Sequence, residues 1–147
     1  MSRLDVTEKI VATKVAKGLK WGDVAKKVGL SKEWVTAACL GQMTLTAEQA
    51  DIVAGLFDLD ESEKTWLQVV PYKGSLPTAV PTDPLIYRFY EMVMVNGPAW
   101  KALIEEEFGD GIMSAIDFDM ALERVANPKG DRVKITMSGK FLPYKRY

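Results

Sequence analysis

The first half of the chain contains short apolar stripes at helical spacing, separated by residues that begin and end helices. In WGDVAKKV (residues 21–28), the apolar side chains recur at i, i+3, i+4 and i+7, so they share one face of a helix. Gly29 is placed to end that helix, and Ser31 is placed to cap the next one, which should run to Gly41. The stretch therefore predicts a helix-turn-helix.

Two further helices are indicated by capping boxes, in which the residue before a helix and the third helical residue exchange hydrogen bonds. Thr46 with Gln49 has this spacing, and Asp60 with Glu63 has the analogous acidic spacing. Pro71 is placed to stop the last helix. Together, these signals predict five short helices within residues 1–70.

A proline-rich segment divides the chain. PYKGSLPTAVPTDP (residues 71–84) contains four prolines and one glycine, a composition typical of a linker. We therefore predict two domains, a helical bundle over residues 1–75 and a second domain over residues 76–147.

The second domain is predicted to begin with two helices. Asp83 is a good N-cap, and Pro84 would occupy the first helical position, where its missing N–H does no harm. The first helix should reach about Val95, because residues 96–97 (Asn-Gly) favour a helix end. The second helix should continue to Phe108.

After Gly111 the apolar pattern changes from helical to strand spacing. Apolar residues alternate over residues 116–122, and RVKITM (132–137) repeats the pattern after the turn sequence NPKGD. A helix over residues 119–126 is the alternative. The predicted fold is α+β and mostly α: a five-helix, helix-turn-helix-like bundle, then two helices and a strand pair.

Composition narrows the function classes. The 147 residues include 19 basic and 20 acidic side chains, a balance that gives no general attraction to nucleic acid or anionic membranes. No apolar run approaches the roughly eighteen residues of a membrane span, and SRLDVTEKIV is too charged for a signal peptide. Cys39 is the only cysteine, so a cytoplasmic location is expected. Without histidine, a zinc or haem site is not expected.

The helix-turn-helix has two interpretations. In a DNA-binding regulator, SKEWVTAACLGQ (residues 31–42) would be the recognition helix, but it offers only Lys32 and Gln42 beside Glu33. Residues 1–75 contain ten basic and ten acidic side chains, which leaves little electrostatic affinity for phosphates. The charge pattern favours a structural bundle, with a regulator that dimerises through its second half as the alternative.

In the segment PTDPLIYRFYEM (residues 81–92), the helix predicted after Asp83 carries two charges, Arg88 and Glu91, among aromatic and aliphatic neighbours. A solvent-exposed pair at this spacing would stabilise a helix by only about 0.3–0.5 kcal/mol. However, a helix this apolar is expected to be buried on several sides. Buried charges must be paired or must serve a ligand of complementary charge, so the pair is a candidate site.

A second candidate is Ser114 in EFGDGIMSAIDF (residues 107–118), where two glycines permit a tight turn before a strand. The chain has no histidine and no GxSxG elbow to activate this serine as a nucleophile. Hydrogen bonding to a bound group is the functional interpretation, and satisfying its own backbone is the structural alternative.

These two segments, together with LGQMTLTAEQA (residues 40–50) and GKFLPY (residues 139–144), closely resemble the cyanase family, also called cyanate hydratase or cyanate lyase. The resemblance spans essentially the whole chain. It implies a bicarbonate-dependent decomposition of cyanate to ammonia and carbon dioxide through carbamate. It also implies that Arg88, Glu91 and Ser114 are catalytic.

The resemblance implies further properties of the protein. Bicarbonate would be a co-substrate, with no cofactor and no metal, and small anions would inhibit. Five dimers whose C-terminal parts interlock would form a homodecamer with active sites between subunits. The helical half would bind no nucleic acid.

The residue types suit this chemistry. Bringing two monoanions to 4 Å costs roughly 4 kcal/mol at an effective dielectric near 20. Arg88 offers a planar fork for oxygen atoms, and a second copy from another chain would neutralise the second charge. Glu91 would fix the arginine, and Ser114 would orient one substrate atom.

Overall fold

The protein, described over residues 1–74 and 76–147 by a computed structural model, consists of two compact units, Met1–Ser75 and Leu76–Tyr147. The first unit contains five helices: α1 (Arg3–Lys17), α2 (Trp21–Val28), α3 (Lys32–Cys39), α4 (Ala47–Phe57) and α5 (Glu61–Gln68). The second unit contains one helix and two strands: α6 (Pro84–Phe108), β1 (Gly111–Val125) and β2 (Arg132–Pro143). The mostly helical α+β fold with one strand pair is confirmed.

The helix ends of the first unit form as their residue types predict. The Ser31 hydroxyl accepts a hydrogen bond from the Trp34 N–H at 3.2 Å. The two capping boxes are both present, before α4 and before α5, with reciprocal hydrogen bonds in each. Gly29 ends α2 in the left-handed region, at φ 83°, which glycine adopts without strain.

The first unit has its own hydrophobic core. All five helices turn apolar side chains inward, and Trp21 packs on this core with its ring 6.1 Å from that of Phe57. The buried core residues are Val6, Ile10, Val24, Ala25, Val28, Val35, Ala38, Cys39, Leu45, Ala50, Val53, Phe57 and Leu67. This unit therefore buries its apolar stripes within a single chain.

One helix stands where the sequence predicts two. Helix α6 continues through Asn96 and Gly97, and Pro98 lies inside it. The helix end predicted from Asn96 and Gly97 was wrong: Gly97 does not take the positive φ that ends a helix, and Pro98 removes only one N–H while its φ is already helical. The Asn96 side chain, which favours a turn, instead donates a hydrogen bond to the Met92 carbonyl at 3.0 Å.

The two strands pair antiparallel as a hairpin, so the alternative of a helix over residues 119–126 is excluded. The Asn127 side chain accepts a hydrogen bond from the Lys129 N–H at 2.9 Å within the turn. Gly130 follows at φ 118°, a conformation that requires glycine. In the described residues, no helix is both long and apolar enough to span a membrane.

Replacement of Pro98 by alanine should stabilise the protein. Pro98 cannot donate to the carbonyl four residues earlier, and proline in a helix interior costs up to about 3 kcal/mol relative to alanine. Thermal unfolding followed by circular dichroism should therefore show a higher midpoint for Pro98→Ala. Pro84→Ala is the matched control, because the N–H of the first helical residue needs no partner, and its midpoint should be unchanged. An unchanged or lower midpoint for Pro98→Ala would contradict this account.

Candidate functional site

The start of α6 is fixed by its N-cap. One carboxylate oxygen of Asp83 accepts hydrogen bonds from the N–H groups of Leu85 and Ile86, both at 2.9 Å. This cap confirms the predicted helix start and sets the helical phase of the residues that follow. Arg88 and Glu91 then lie on the same side of the second turn.

Arg88 and Glu91 form an ion pair in the single chain. The Arg88 Nη1 and Glu91 Oε2 atoms are 3.3 Å apart, and the guanidinium carbon lies 5.6 Å from the centre of the Tyr87 ring. Their side chains are 58% and 49% exposed. The single chain does not supply the burial that the apolar sequence of this helix predicts. An exposed pair of this kind contributes little stability.

Arg88 and Glu91 are exposed because nothing in the described part of the single chain covers the apolar residues around them. Although α6 is 25 residues long, none of its residues is buried. Its exposed large apolar residues are Leu85, Ile86, Phe89, Met92, Val93, Met94, Val95, Trp100, Leu103 and Phe108. A contiguous apolar surface of this kind typically marks a protein–protein interface.

Ser114 lies in an irregular part of the hairpin. Met113 pairs with Phe141 and Phe118 pairs with Gly139, so residues 114–117 of β1 lie opposite the single residue 140 of β2. The sequence did not indicate this bulge: the tight turn predicted at Gly109 and Gly111 lies between α6 and β1, with Gly109 at φ 90°. Ser114 is only 5% exposed, which is unusual in this otherwise open unit.

The Ser114 hydroxyl holds the bulge together. Its Oγ accepts hydrogen bonds from the N–H groups of Ile116 at 3.1 Å and Asp117 at 3.0 Å. A serine hydroxyl has two acceptor lone pairs and one donor hydrogen, so both lone pairs are occupied. The oxygen is therefore poorly suited to act as a nucleophile or base, and the O–H can still donate.

The single chain brings two of the three sequence-predicted residues together. Arg88 and Glu91 are in contact, but within the described residues no hydrogen bond or ion pair joins Ser114 to either of them. Sequence reasoning missed Tyr87 beside the guanidinium, although an aromatic residue next to an arginine in PLIYRFYEM was a usable signal. It also missed Gly139, whose proximity to the bulge follows only from the cross-strand register.

Other reactive groups of the chain lie elsewhere. Burial raises the pKa of the Cys39 thiol to about 11, so at neutral pH it is protonated inside the core of the first unit. Within the described parts of the chain, no three His, Cys, Asp or Glu side chains form a cluster suited to a metal ion. An open pocket of about 380 Å³ in the second unit is lined by Trp100, Lys101 and Tyr144 among others, but by none of the three candidate residues.

Comparison with known families covers both units. Residues 3–71 match the family model described as "Cyanate hydratase, N-terminal", and residues 78–146 match "Cyanate lyase C-terminal domain". Because these two descriptions name the two halves of one enzyme and together cover nearly the whole chain, the protein is a lyase.

Individual relatives agree with this assignment. The cyanate hydratases of Methylibium petroleiphilum and Cupriavidus necator are 76% and 63% identical to the chain, each over the full 147 residues of both proteins. The crystal structure of cyanase from T. urticae superposes with a TM-score of 0.81 at 33% identity, covering 94% of this chain and 96% of that one. The chain belongs to the cyanate hydratase family.

Proposed function

We propose that the protein catalyses the bicarbonate-dependent decomposition of cyanate to ammonia and carbon dioxide, and that Arg88, Glu91 and Ser114 from adjoining subunits form its active site. The full-length relatives are cyanate hydratases, and that name gives cyanate as their substrate. No cofactor or metal takes part in the proposed reaction, and the cytoplasm is the proposed location.

The proposed reaction balances without a redox step. A bicarbonate oxygen forms a bond to the cyanate carbon, and the bicarbonate proton moves to the nitrogen, which gives a dianionic adduct. The bond between the former bicarbonate carbon and the bridging oxygen then breaks and releases carbon dioxide. With one proton from water this leaves carbamate, and a second proton completes its cleavage to ammonia and carbon dioxide.

Charge is the main obstacle to this reaction, because both reactants and the adduct are anionic. An arginine fork binds oxygen atoms in fixed orientation, and the exposed Arg88 is free to meet a ligand or a second subunit. One guanidinium neutralises half of the adduct's charge, so a second copy of Arg88 is expected at the same site. Glu91 and the Tyr87 ring would hold the guanidinium in place until substrate binds.

The role proposed for Ser114 follows from its hydrogen bonds. Since Ile116 and Asp117 occupy its lone pairs, the hydroxyl can only donate to an approaching anion. A donor that is already fixed by the bulge requires no reorganisation when negative charge develops. The proton that adduct formation requires comes from bicarbonate, which is consistent with a chain that contains no histidine.

The observation that carries this proposal is the uncovered surface around Arg88. An apolar helix without a buried residue needs a partner, and the partner surface would enclose Arg88 and Glu91. The hairpin has the same property, since Ile116 at the bulge is 98% exposed. We propose that the second units of two chains interlock and that five such dimers form a decamer.

The helical unit has a structural role in this proposal. It is electrostatically neutral, with ten basic and ten acidic side chains in residues 1–75, and the comparisons assign it to the N-terminal part of a lyase. A DNA-binding regulator is therefore the less favoured alternative.

Ammonia release provides the direct test of the reaction. The protein mixed with cyanate should release ammonia when bicarbonate is present, and release should stop when bicarbonate and dissolved carbon dioxide are removed. Small anions such as chloride, azide or oxalate should compete with the substrates. Ammonia release at the same rate without bicarbonate would refute the co-substrate role, and no release under either condition would refute the reaction.

Arg88→Lys should lower kcat/KM for cyanate by at least about 100-fold, the usual cost of one lost prearranged donor, because an ammonium group cannot form the fork. Arg124→Lys makes the same change at an ion pair in the hairpin, where the Arg124 Nε and Asp131 Oδ2 atoms are 2.7 Å apart. This control should retain near-normal activity. A normal rate from Arg88→Lys would remove that residue from the mechanism.

Ile116→Asp should prevent normal assembly. In an isolated chain this exposed position would tolerate aspartate, whereas a dry subunit contact would not. Solution mass should be near ten times the 16.4 kDa of one chain for the wild type and much lower for the variant. Val15→Asp, which changes an exposed residue of α1, should leave the mass unaltered. An assembled Ile116→Asp variant would show that the bulge lies outside the subunit contacts.

A further inference from the structure

Gly139 of β2 lies against the bulge that contains Ser114. It pairs with Phe118, the first paired residue after the bulge. A Cβ atom placed on Gly139 would lie 2.5 Å from the Ser114 carbonyl oxygen and 2.6 Å from Cγ of Met113. Contacts this short do not occur in folded proteins, so any side chain here would displace its neighbours.

The requirement for glycine at this position comes from space rather than backbone freedom. Gly139 is not among the glycines with positive φ, so its conformation is open to other residues. Without a side chain, β2 passes close to the carbonyl of Ser114. The bulge can then close so that Oγ accepts the N–H groups of Ile116 and Asp117.

We propose that Gly139 is a positioning residue for the reaction: its missing side chain lets the Ser114 bulge close onto β2 and so sets the place of the Ser114 hydroxyl. The inference rests on the proposed role of Ser114 as a hydrogen-bond donor to the adduct. Gly139 itself touches no substrate.

The expected effect follows from the geometry. To restore an ordinary contact of 3.4 Å with an alanine Cβ, the Ser114 carbonyl and Gly139 must separate by 0.9 Å. A misplacement of about 1 Å in a catalytic site can lower the rate about 100-fold. Gly139→Ala should therefore lower kcat about 100-fold, which is comparable to the 100- to 1,000-fold loss expected for Ser114→Ala itself.

A double-mutant cycle separates positioning from general damage. If Gly139 acts through Ser114, adding Gly139→Ala to Ser114→Ala should lower kcat by no more than about a further twofold, since the hydroxyl is already absent. Gly111→Ala is the matched control. Its Cβ would lie 2.4 Å from the Leu142 carbonyl and 2.5 Å from the Phe141 ring, without involving Ser114. In the double variant, the fold-losses in kcat from Gly111→Ala and Ser114→Ala should multiply. If the fold-losses from Gly139→Ala and Ser114→Ala also multiply, the proposal is overturned.

A second variant covers the case in which Gly139→Ala fails to assemble. Met113→Ala/Gly139→Ala removes the contact with the methionine and keeps the 2.5 Å contact with the Ser114 carbonyl. Its kcat should stay about 100-fold below that of Met113→Ala alone. Recovery to the level of Met113→Ala would show that Gly139 makes room for the methionine only. Failure of both variants to assemble would show that Gly139 serves the whole hairpin, which also contradicts the proposal.

Hydrogen exchange gives a readout that needs no enzymatic activity. Deuterium uptake at the amides of Ile116 and Asp117, followed by mass spectrometry on peptides spanning residues 114–118, should accelerate in Gly139→Ala and not in Gly111→Ala. Unchanged uptake in Gly139→Ala would refute the positioning role. If the wild type releases no ammonia but uptake changes as expected, the proposed reaction fails and the effect of Gly139 on the bulge stands.

Discussion

The second unit exposes a large apolar surface that the single chain does not cover. Helix α6 exposes its aromatic and aliphatic side chains along 25 residues and buries none. Burial of apolar area is the main favourable contribution to folding, at roughly 25 cal/mol per Å² removed from water. Stability of this unit and enclosure of Arg88 would therefore come from the same partner surface. That link would explain why an arginine and a glutamate occur in a segment whose other residues are typical of a buried core.

The two units differ in how they bury apolar side chains and in whether they carry the proposed catalytic residues. The first unit buries its own apolar stripes, fixes its helix ends with side-chain caps and holds its single cysteine as an inert core residue. None of the three proposed catalytic residues lies in it. The second unit holds all three, on a helix and a hairpin that remain open. The helix-turn-helix of the first unit is therefore explained by packing, and no charge surplus in residues 1–75 requires a nucleic-acid partner.

Sequence patterns correctly predicted the features that depend only on residues close together in the chain, such as helix caps. Ser31, Thr46 and Asp83 cap the helices that follow them, because a cap needs only the residues within one turn. The end predicted at Asn96 and Gly97 fails, because the Asn96 side chain donates back to the Met92 carbonyl within the helix and Pro98 removes only one helical hydrogen bond. The bulge at Ser114 could not be predicted, since it depends on which residue of β2 lies opposite. The exposure of Arg88 in the single chain could not be predicted either. Apolar neighbours indicate that a surface is buried, but they do not indicate whether the same chain or another chain buries it.

The hydrogen bonds of Ser114 constrain the chemistry further. A serine nucleophile needs a free lone pair and a base to take its proton, and here Ile116 and Asp117 occupy both lone pairs while the chain contains no histidine. What this second unit can offer is fixed positive charge from arginine and a fixed O–H donor. Both would suit the proposed reaction between two anions, in which bicarbonate carries the transferred proton. A site of this kind gains its rate from approximation and electrostatics, so small displacements of the donor matter more than the basicity of any side chain.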